Sequence, residues 1–172
     1  MGTDLDAVLA QRRALGHDRF DEVWEGAYRM VPGPALRHAL VDAEVLAALR
    51  PRARAAGLTS LTAFNLGEPA DYRVPDQGYA RGTPAGLYLP TAEVVVEVLS
   101  PGDDTYRTFP FFARHGVGKI VVVDPDGRRV EIHTLDAGEQ RYRRTDASPV
   151  LGVTARDLFT AIDWPSAPDQ RS

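Results

Sequence analysis

A chain of 172 residues, 44% hydrophobic and 26% charged, is long enough for one domain with a real core and too short for two ordinary ones. Having no cysteine, it excludes disulfides and Cys-based zinc or redox sites; with no apolar targeting segment and no run approaching eighteen apolar residues, it reads as a soluble, cytoplasmic protein without a membrane partner. A net charge of −4 argues against a broad basic face for nonspecific nucleic-acid binding and leaves room only for local arginine clusters.

Thr3 or Asp4 caps a helix predicted to run to about Leu15, with Leu5, Val8, Leu9 and Leu15 on one side. Asp21 to Val31 alternates as a strand pair turning at Glu25-Gly26. After the breaker Pro32-Gly33-Pro34, the residues Leu36, Leu40, Val41, Val45, Leu46 and Leu49 recur at helical spacing. Pro51 is expected to kink or end that helix, leaving Arg50, Arg52 and Arg54 in a short basic segment before Gly57. Three strand-like runs follow at 58–67, 72–81 and 93–100, the last two separated by a Gly/Pro-rich loop over 82–90. Thr105 starts a short helix to His115 that buries Phe109 and Phe112, with Pro110 either kinking it or marking a second start at Phe109.

Ile120 to Val123 is a fully apolar strand, joined by the turn Asp124-Pro125-Asp126-Gly127 to a strand over 128–135, and another is expected near Gln140 to Arg144. Thr154 and Asp157 form a capping-box start for the final helix. The order predicts an α/β (α+β) fold, a mixed sheet flanked by helices, in one domain over residues 1–165 with a flexible tail over 166–172.

Two acids stand out. Asp76 follows Pro75 in a strand-like segment, and Glu97 is embedded in the apolar run Val94-Val95-Val96-Glu97-Val98-Leu99. An unpaired carboxylate in a buried strand is costly, so it implies a partner. If the two strands are neighbours, the carboxylates converge as Mg²⁺ requires, since that ion takes oxygen ligands and needs only one or two protein acids. The alternative is that Asp76 caps a turn and Glu97 pairs with an arginine.

Arg73-Val74-Pro75-Asp76, the Gly/Pro loop, the run from Val94 through Ser100-Pro101-Gly102-Asp103-Asp104-Thr105, the aromatic helix ending Ala113-Arg114-His115-Gly116-Val117, and the strand Val121-Val122-Val123-Asp124-Pro125 together resemble the Uma2 family. The segment from Asp21 to Pro34 with His38, and Val150 to Phe159 before Asp163-Trp164-Pro165, are similar to it too. The resemblance implies a restriction-endonuclease-like fold of the PD-(D/E)xK type and metal-dependent hydrolysis of DNA with Mg²⁺ or Mn²⁺. It makes Asp76 and Glu97 the metal-binding acids, Glu22 a third acid nearby, and His38 an accessory that orients a water or an acid. By analogy with restriction enzymes it also implies a homodimer.

One departure matters. The nuclease pattern's lysine two residues after the glutamate is Leu99 here, and the family's lysine on the following helix aligns with Thr108, beside Arg107. The chain's one lysine, Lys119, stands at the entrance to an apolar strand. Thr108 carries no charge, and Arg107 offers charge without ready deprotonation. A noncatalytic member that binds nucleic acid or a protein partner is therefore the competing expectation. Asp103 and Asp104 are read as caps, His115 as a helix-end residue, and the arginines at 50–54 and 141–144 as solvated faces, with contact to phosphates as the alternative for either cluster.

Overall fold

The computed structural model describes residues 2–166, with side chains from residue 5 onward; of the tail expected over 166–172, all but Ser166 lies outside the described residues. In chain order the elements are α1 (Gly2–Ala14), β1 (Glu22–Trp24), β2 (Ala27–Arg29), α2 (Leu36–Ala55), β3 (Leu58–Thr62), β4 (Asn65–Glu68), β5 (Asp71–Arg73), β6 (Gln77–Arg81), β7 (Tyr88–Leu89) and β8 (Val94–Val98). A 3₁₀ turn over Thr105–Thr108 then leads into α3 (Phe109–Arg114), followed by β9 (Lys119–Asp124), β10 (Arg129–Asp136), β11 (Arg141–Thr145), β12 (Ala147–Ser148), β13 (Val153–Thr154) and α4 (Ala155–Ala161). Pro110 thus sits in the first turn of a second helical start, where its missing N–H costs nothing.

A six-stranded sheet in the order β11-β10-β9-β8-β6-β3 forms the centre, and a five-stranded sheet in the order β2-β1-β5-β4-β7 lies beside it. Only β8 and β9 run parallel in the larger sheet; the connection between them carries the 3₁₀ turn and α3, because parallel neighbours need a crossover. Val94, Val96 and Val98 of β8 face a cluster with Val41, Val45, Leu49 and Leu158 from α2 and α4. Val95, Ile120 and Val122 face a second cluster with Leu66, Phe111 and Phe112. Burial on both faces is why Val94 to Val96 of β8 and Ile120 to Val123 of β9 read as continuous apolar runs.

Two helices differ in part from expectation. α2 continues through Pro51 to Ala55. Its buried stripe is Val41, Val45, Leu49 and Ala53, while Leu36 and Leu40 are exposed. Each fully buried aliphatic contributes about 1.5–3 kcal/mol, and a helix-interior proline costs about 3 kcal/mol, so packing on both sides of Pro51 outweighs the broken backbone bond. In α1 the expected apolar side does not pack: Leu5, Val8 and Leu15 are exposed. What ties α1 down is Arg12, whose Nη2 donates to Asp21 Oδ1 at 2.7 Å and whose Nε donates to Oδ2 at 3.0 Å. Asp21 is 1% exposed. Burial alone would raise its pKa, but Arg12, the Tyr28 hydroxyl and the Val31 N–H together hold it below the usual value.

The hairpin forms where expected, with Glu25 and Gly26 both at positive φ, the paired left-handed geometry whose twist suits a two-residue connection. Gly67 is another position that needs glycine. At φ +122° its backbone runs against α3, and a Cβ there would lie 2.9 Å from Phe111 Cζ and 3.1 Å from Tyr72 Cα. Gly67→Ala is expected to lower stability by about 2–4 kcal/mol through backbone strain and overpacking, read as a lower urea midpoint at unchanged slope. Among the described residues no helix is long and apolar enough to cross a membrane.

Candidate active site

β6 and β8 are antiparallel neighbours with Gln77 opposite Val96 and Gly78 opposite Val95. Extending that register by one residue sets Asp76 opposite Glu97, and directly opposed residues share a face of the sheet. Asp76 itself lies in the bend just before β6 rather than within a strand. Its carboxylate therefore takes over where the ladder stops: the Val98 N–H donates to Asp76 Oδ2 at 2.7 Å, and the Asp76 carbonyl accepts from the Ala63 N–H at 3.0 Å.

α2 delivers His38 to the same point. Its Nε2 lies 3.0 Å from Asp76 Oδ1 and its Nδ1 lies 3.1 Å from Ser100 Oγ. Burial pushes the imidazole pKa down, but the bond to Asp76 and the charges of Asp76, Asp42 and Asp103 outweigh it and leave the pKa raised. His38 thus holds Asp76 Oδ1 in place while Ser100 fixes the ring from behind. Asp42, one turn further along α2, accepts from Gln77 Nε2 at 2.6 Å.

β1 brings in Glu22. The Val74 N–H donates to Oε1 at 2.8 Å and Trp24 Nε1 donates to Oε2 at 2.5 Å. Burial still dominates and raises the Glu22 pKa. Glu97 is the extreme case. Burial raises its pKa well above the usual value of 4.5, and the charges of Asp76, Glu22 and Asp103 push it the same way; only the peptide N–H of Asp76 opposes. Neither of the arginine or turn-cap alternatives applies in simple form: Asp76 pairs with His38, and Glu97 has no cationic partner among the described residues.

A cleft of about 720 Å³ opens over this group and is lined by Glu22, His38, Asp76, Glu97 and Thr108. Arg107 is not brought into it. That side chain is 67% exposed and its Nη1 bonds Asp104 Oδ2 at 3.1 Å. Thr108 is 7% exposed and spends its hydroxyl proton on the Thr105 carbonyl at 2.6 Å. Lys119 points elsewhere, donating to Thr134 Oγ1 at 2.7 Å. Asp103 accepts from the Ser100 N–H at 3.2 Å, whereas Asp104, at the helix-start position, makes no capping bond. His115 ends α3 as expected, with Nδ1 on the Pro90 carbonyl at 3.0 Å.

The cleft contains one cation that sequence reasoning missed. Arg29 lines it with its guanidinium 3.7 Å from the centre of the Trp24 ring; Arg73 stacks on the same indole at 4.3 Å and on Phe111 at 4.1 Å. Such stacking holds a guanidinium flat without using up its donors. The signal was present: once the hairpin turns at Glu25-Gly26, Arg29 falls directly opposite Glu22, so whatever Glu22 faces Arg29 faces too.

The donor set fits a small divalent cation with oxygen preference. Glu97 is a half-buried carboxylate left without a cation, and Asp76 retains lone pairs on both oxygens beside its two bonds. Among the described residues no three His, Asp or Glu side chains gather into a full protein cage. Mg²⁺ does not need one, because it keeps several waters and takes one or two carboxylates.

No curated protein matches the chain. A solved structure from Anabaena variabilis ATCC 29413, described as a "putative nuclease belonging to DUF820", superposes with a TM-score of 0.67 at 18% identity, covering 83% of this chain and 90% of that one. At that identity the likeness is one of fold, a mixed sheet with flanking helices. A family model described as "Putative restriction endonuclease" matches residues 13–163, a span that holds every cleft residue named above, and the chain belongs to this family, Uma2.

Proposed function

We propose that the cleft hydrolyses DNA phosphodiester bonds as a metal-dependent endonuclease, with Asp76 and Glu97 holding Mg²⁺ or Mn²⁺ and Glu22 as an accessory acid. The observation that carries this is Glu97: a half-buried carboxylate among like charges, with no cation among the described residues to relieve it. A charge so placed is destabilising unless a counter-ion joins it, and its retention points to a functional site. A divalent ion there supplies Lewis acidity toward a phosphoryl oxygen and lowers the pKa of water.

The chain's own residues do the rest. His38, hydrogen-bonded on both ring nitrogens, fixes the direction of Asp76 Oδ1. Glu22, fixed by Val74 and Trp24, keeps its carboxyl at the cleft wall with its pKa raised, so it exchanges a proton closer to neutrality than an ordinary glutamate. Arg29 presents positive charge to an incoming phosphate across the cleft.

The test is cleavage of supercoiled plasmid with Mg²⁺ or Mn²⁺. Glu97→Ala is expected to abolish whatever cleavage the native protein shows, and cleavage that survives in Glu97→Ala rules out this site. A second reading, binding without turnover, is favoured by one observation: among the described residues no lysine lines the cleft, and Thr108, which stands in for it, has its hydroxyl committed to the backbone. Binding of DNA with no cleavage by the native chain in either metal would select it.

A further inference from the structure

A second groove, of about 520 Å³, lies between the C-terminal half of α2 and β3 and is lined by Arg50, Arg54, Thr59, Ser60 and Thr62 with Leu46 and Leu58. Its origin is the continuation of α2 through Pro51. On an uninterrupted helix Arg50 and Arg54 are one turn apart and share a face. Arg52 points away, to the Gly152 carbonyl at 2.5 Å. Among the described residues no acidic side chain lines the groove, although the chain as a whole carries a net charge of −4. The contrast is with the other arginine run. On β11, Arg143 pairs with Asp136 and Glu139, Arg141 with Glu139, and Arg144 with Glu131, so that face is neutralised.

The groove also has a direction. β3 is the outer strand of the six-stranded sheet and pairs with β6 so that Thr62 lies opposite Gln77, the residue after Asp76, while Leu58 lies opposite Arg81. It therefore starts beside the floor of the cleft and runs away from it along five residues of sheet edge. That is about 17 Å at the strand rise, comparable to about five phosphates at the axial spacing of one duplex strand.

We propose that this groove is a separate phosphate-backbone site that holds DNA flanking the segment in the cleft, through Arg50 and Arg54 assisted by the hydroxyls of Ser60 and Thr62. It rests on the proposed function for its ligand class, but not on catalysis. The two guanidiniums neutralise two phosphates and displace their counterions, so the site contributes to affinity in a salt-dependent and sequence-independent way.

The test is fluorescence anisotropy with a labelled duplex of about 20 base pairs in EDTA between about 50 and 200 mM salt, so that no divalent ion takes part. Arg50→Ala/Arg54→Ala is expected to weaken binding about tenfold and to reduce the slope of log affinity against log salt by about 2, near 1 per lost phosphate contact. Arg141→Ala/Arg143→Ala changes the net charge equally and is expected to change the slope by less than half as much. Equal effects from the two double variants, or no binding by the native protein, overturn the proposal. Because both arginines are exposed and alanine favours helix, folding of the variant is retained and is checked by its circular dichroism. Failure of catalysis is separable: Arg50/Arg54-dependent binding without plasmid cleavage leaves the groove standing and removes the nuclease reading, whereas Glu97-dependent cleavage with unchanged binding in Arg50→Ala/Arg54→Ala does the reverse.

Discussion

Thr108→Lys is expected to raise plasmid cleavage about 10²- to 10³-fold over the native chain, the size of effect associated with one preorganised charge-stabilising donor. Thr108 opens α3 at the wall of the cleft, in the same enclosure as Glu22, Asp76 and Glu97. Its hydroxyl closes a local turn onto Thr105 and contributes nothing to the cleft's charge. The acids there outnumber the cations, with Arg29 as the one guanidinium among the lining residues described. An ammonium at position 108 enters a region that already favours positive charge, so the substitution is tolerated electrostatically despite the burial. Arg107→Lys is the control. It changes an exposed side chain outside the cleft and is expected to leave cleavage unchanged. A folded Thr108→Lys protein no more active than the native chain would show that this position is not where the missing charge belongs.

The second large effect is on stability. Glu97→Gln is expected to stabilise the metal-free protein at neutral pH by about 1–3 kcal/mol, the scale of relieving an unsatisfied buried polar group, or about 2–4 °C in Tm per kcal/mol for a chain of this size. The pH dependence follows from the raised Glu97 pKa. Well below the ordinary glutamate value of 4.5 the carboxyl is protonated whether the chain is folded or not, and the native protein and the Glu97→Gln variant differ little. As pH rises through that value, the unfolded chain ionises while the folded one resists, so the folded state binds more protons and native stability falls relative to the variant. The gap reaches its full size once pH passes the raised folded-state value and stays constant above it. Thermal denaturation from about pH 4 to about pH 8 reads this directly, and a gap that is flat or that closes with rising pH contradicts it.

Divalent metal should reverse the order. Saturating Mg²⁺ at about 100 times its Kd stabilises the native protein by about 2.7 kcal/mol, with a much smaller shift for Glu97→Gln. Equal shifts in both proteins would place the ion elsewhere.

Much of this arrangement is written in short-range pattern. The Glu25-Gly26 hairpin, the capping box in which Thr154 and Asp157 bond each other's backbone, and the apolar runs of β8 and β9 each follow from a few adjacent residues. Glu97 was visible for the same reason: a carboxylate between valines is anomalous wherever the strand is placed. Pro51 left open whether α2 ends there because its local cost is plain in the sequence, while the compensating burial of Leu49 and Ala53 against distant strands is not. Leu5, Val8 and Leu15 misled, showing an apolar side that stays exposed in the structure.

By itself the sequence determined the four helices, the apolar strands, the family resemblance and the two acids most in need of a partner, because these depend on residue type and on neighbours a few positions away. Its runs at 58–67 and 72–81 read as single strands and 82–90 as a loop, where the structure has β3 and β4, β5 and β6, and β7. The tertiary structure decided which atoms meet: His38 on Asp76 across 38 positions, Val98 N–H on Asp76 across 22, and Val74 N–H on Glu22 across 52. It also decided that Arg29 faces the cleft and Arg107 does not. Those outcomes depend on strand register and on the reach of side chains from separate elements, and a charge's pKa depends on the sum of everything packed around it, which no local stretch of sequence contains.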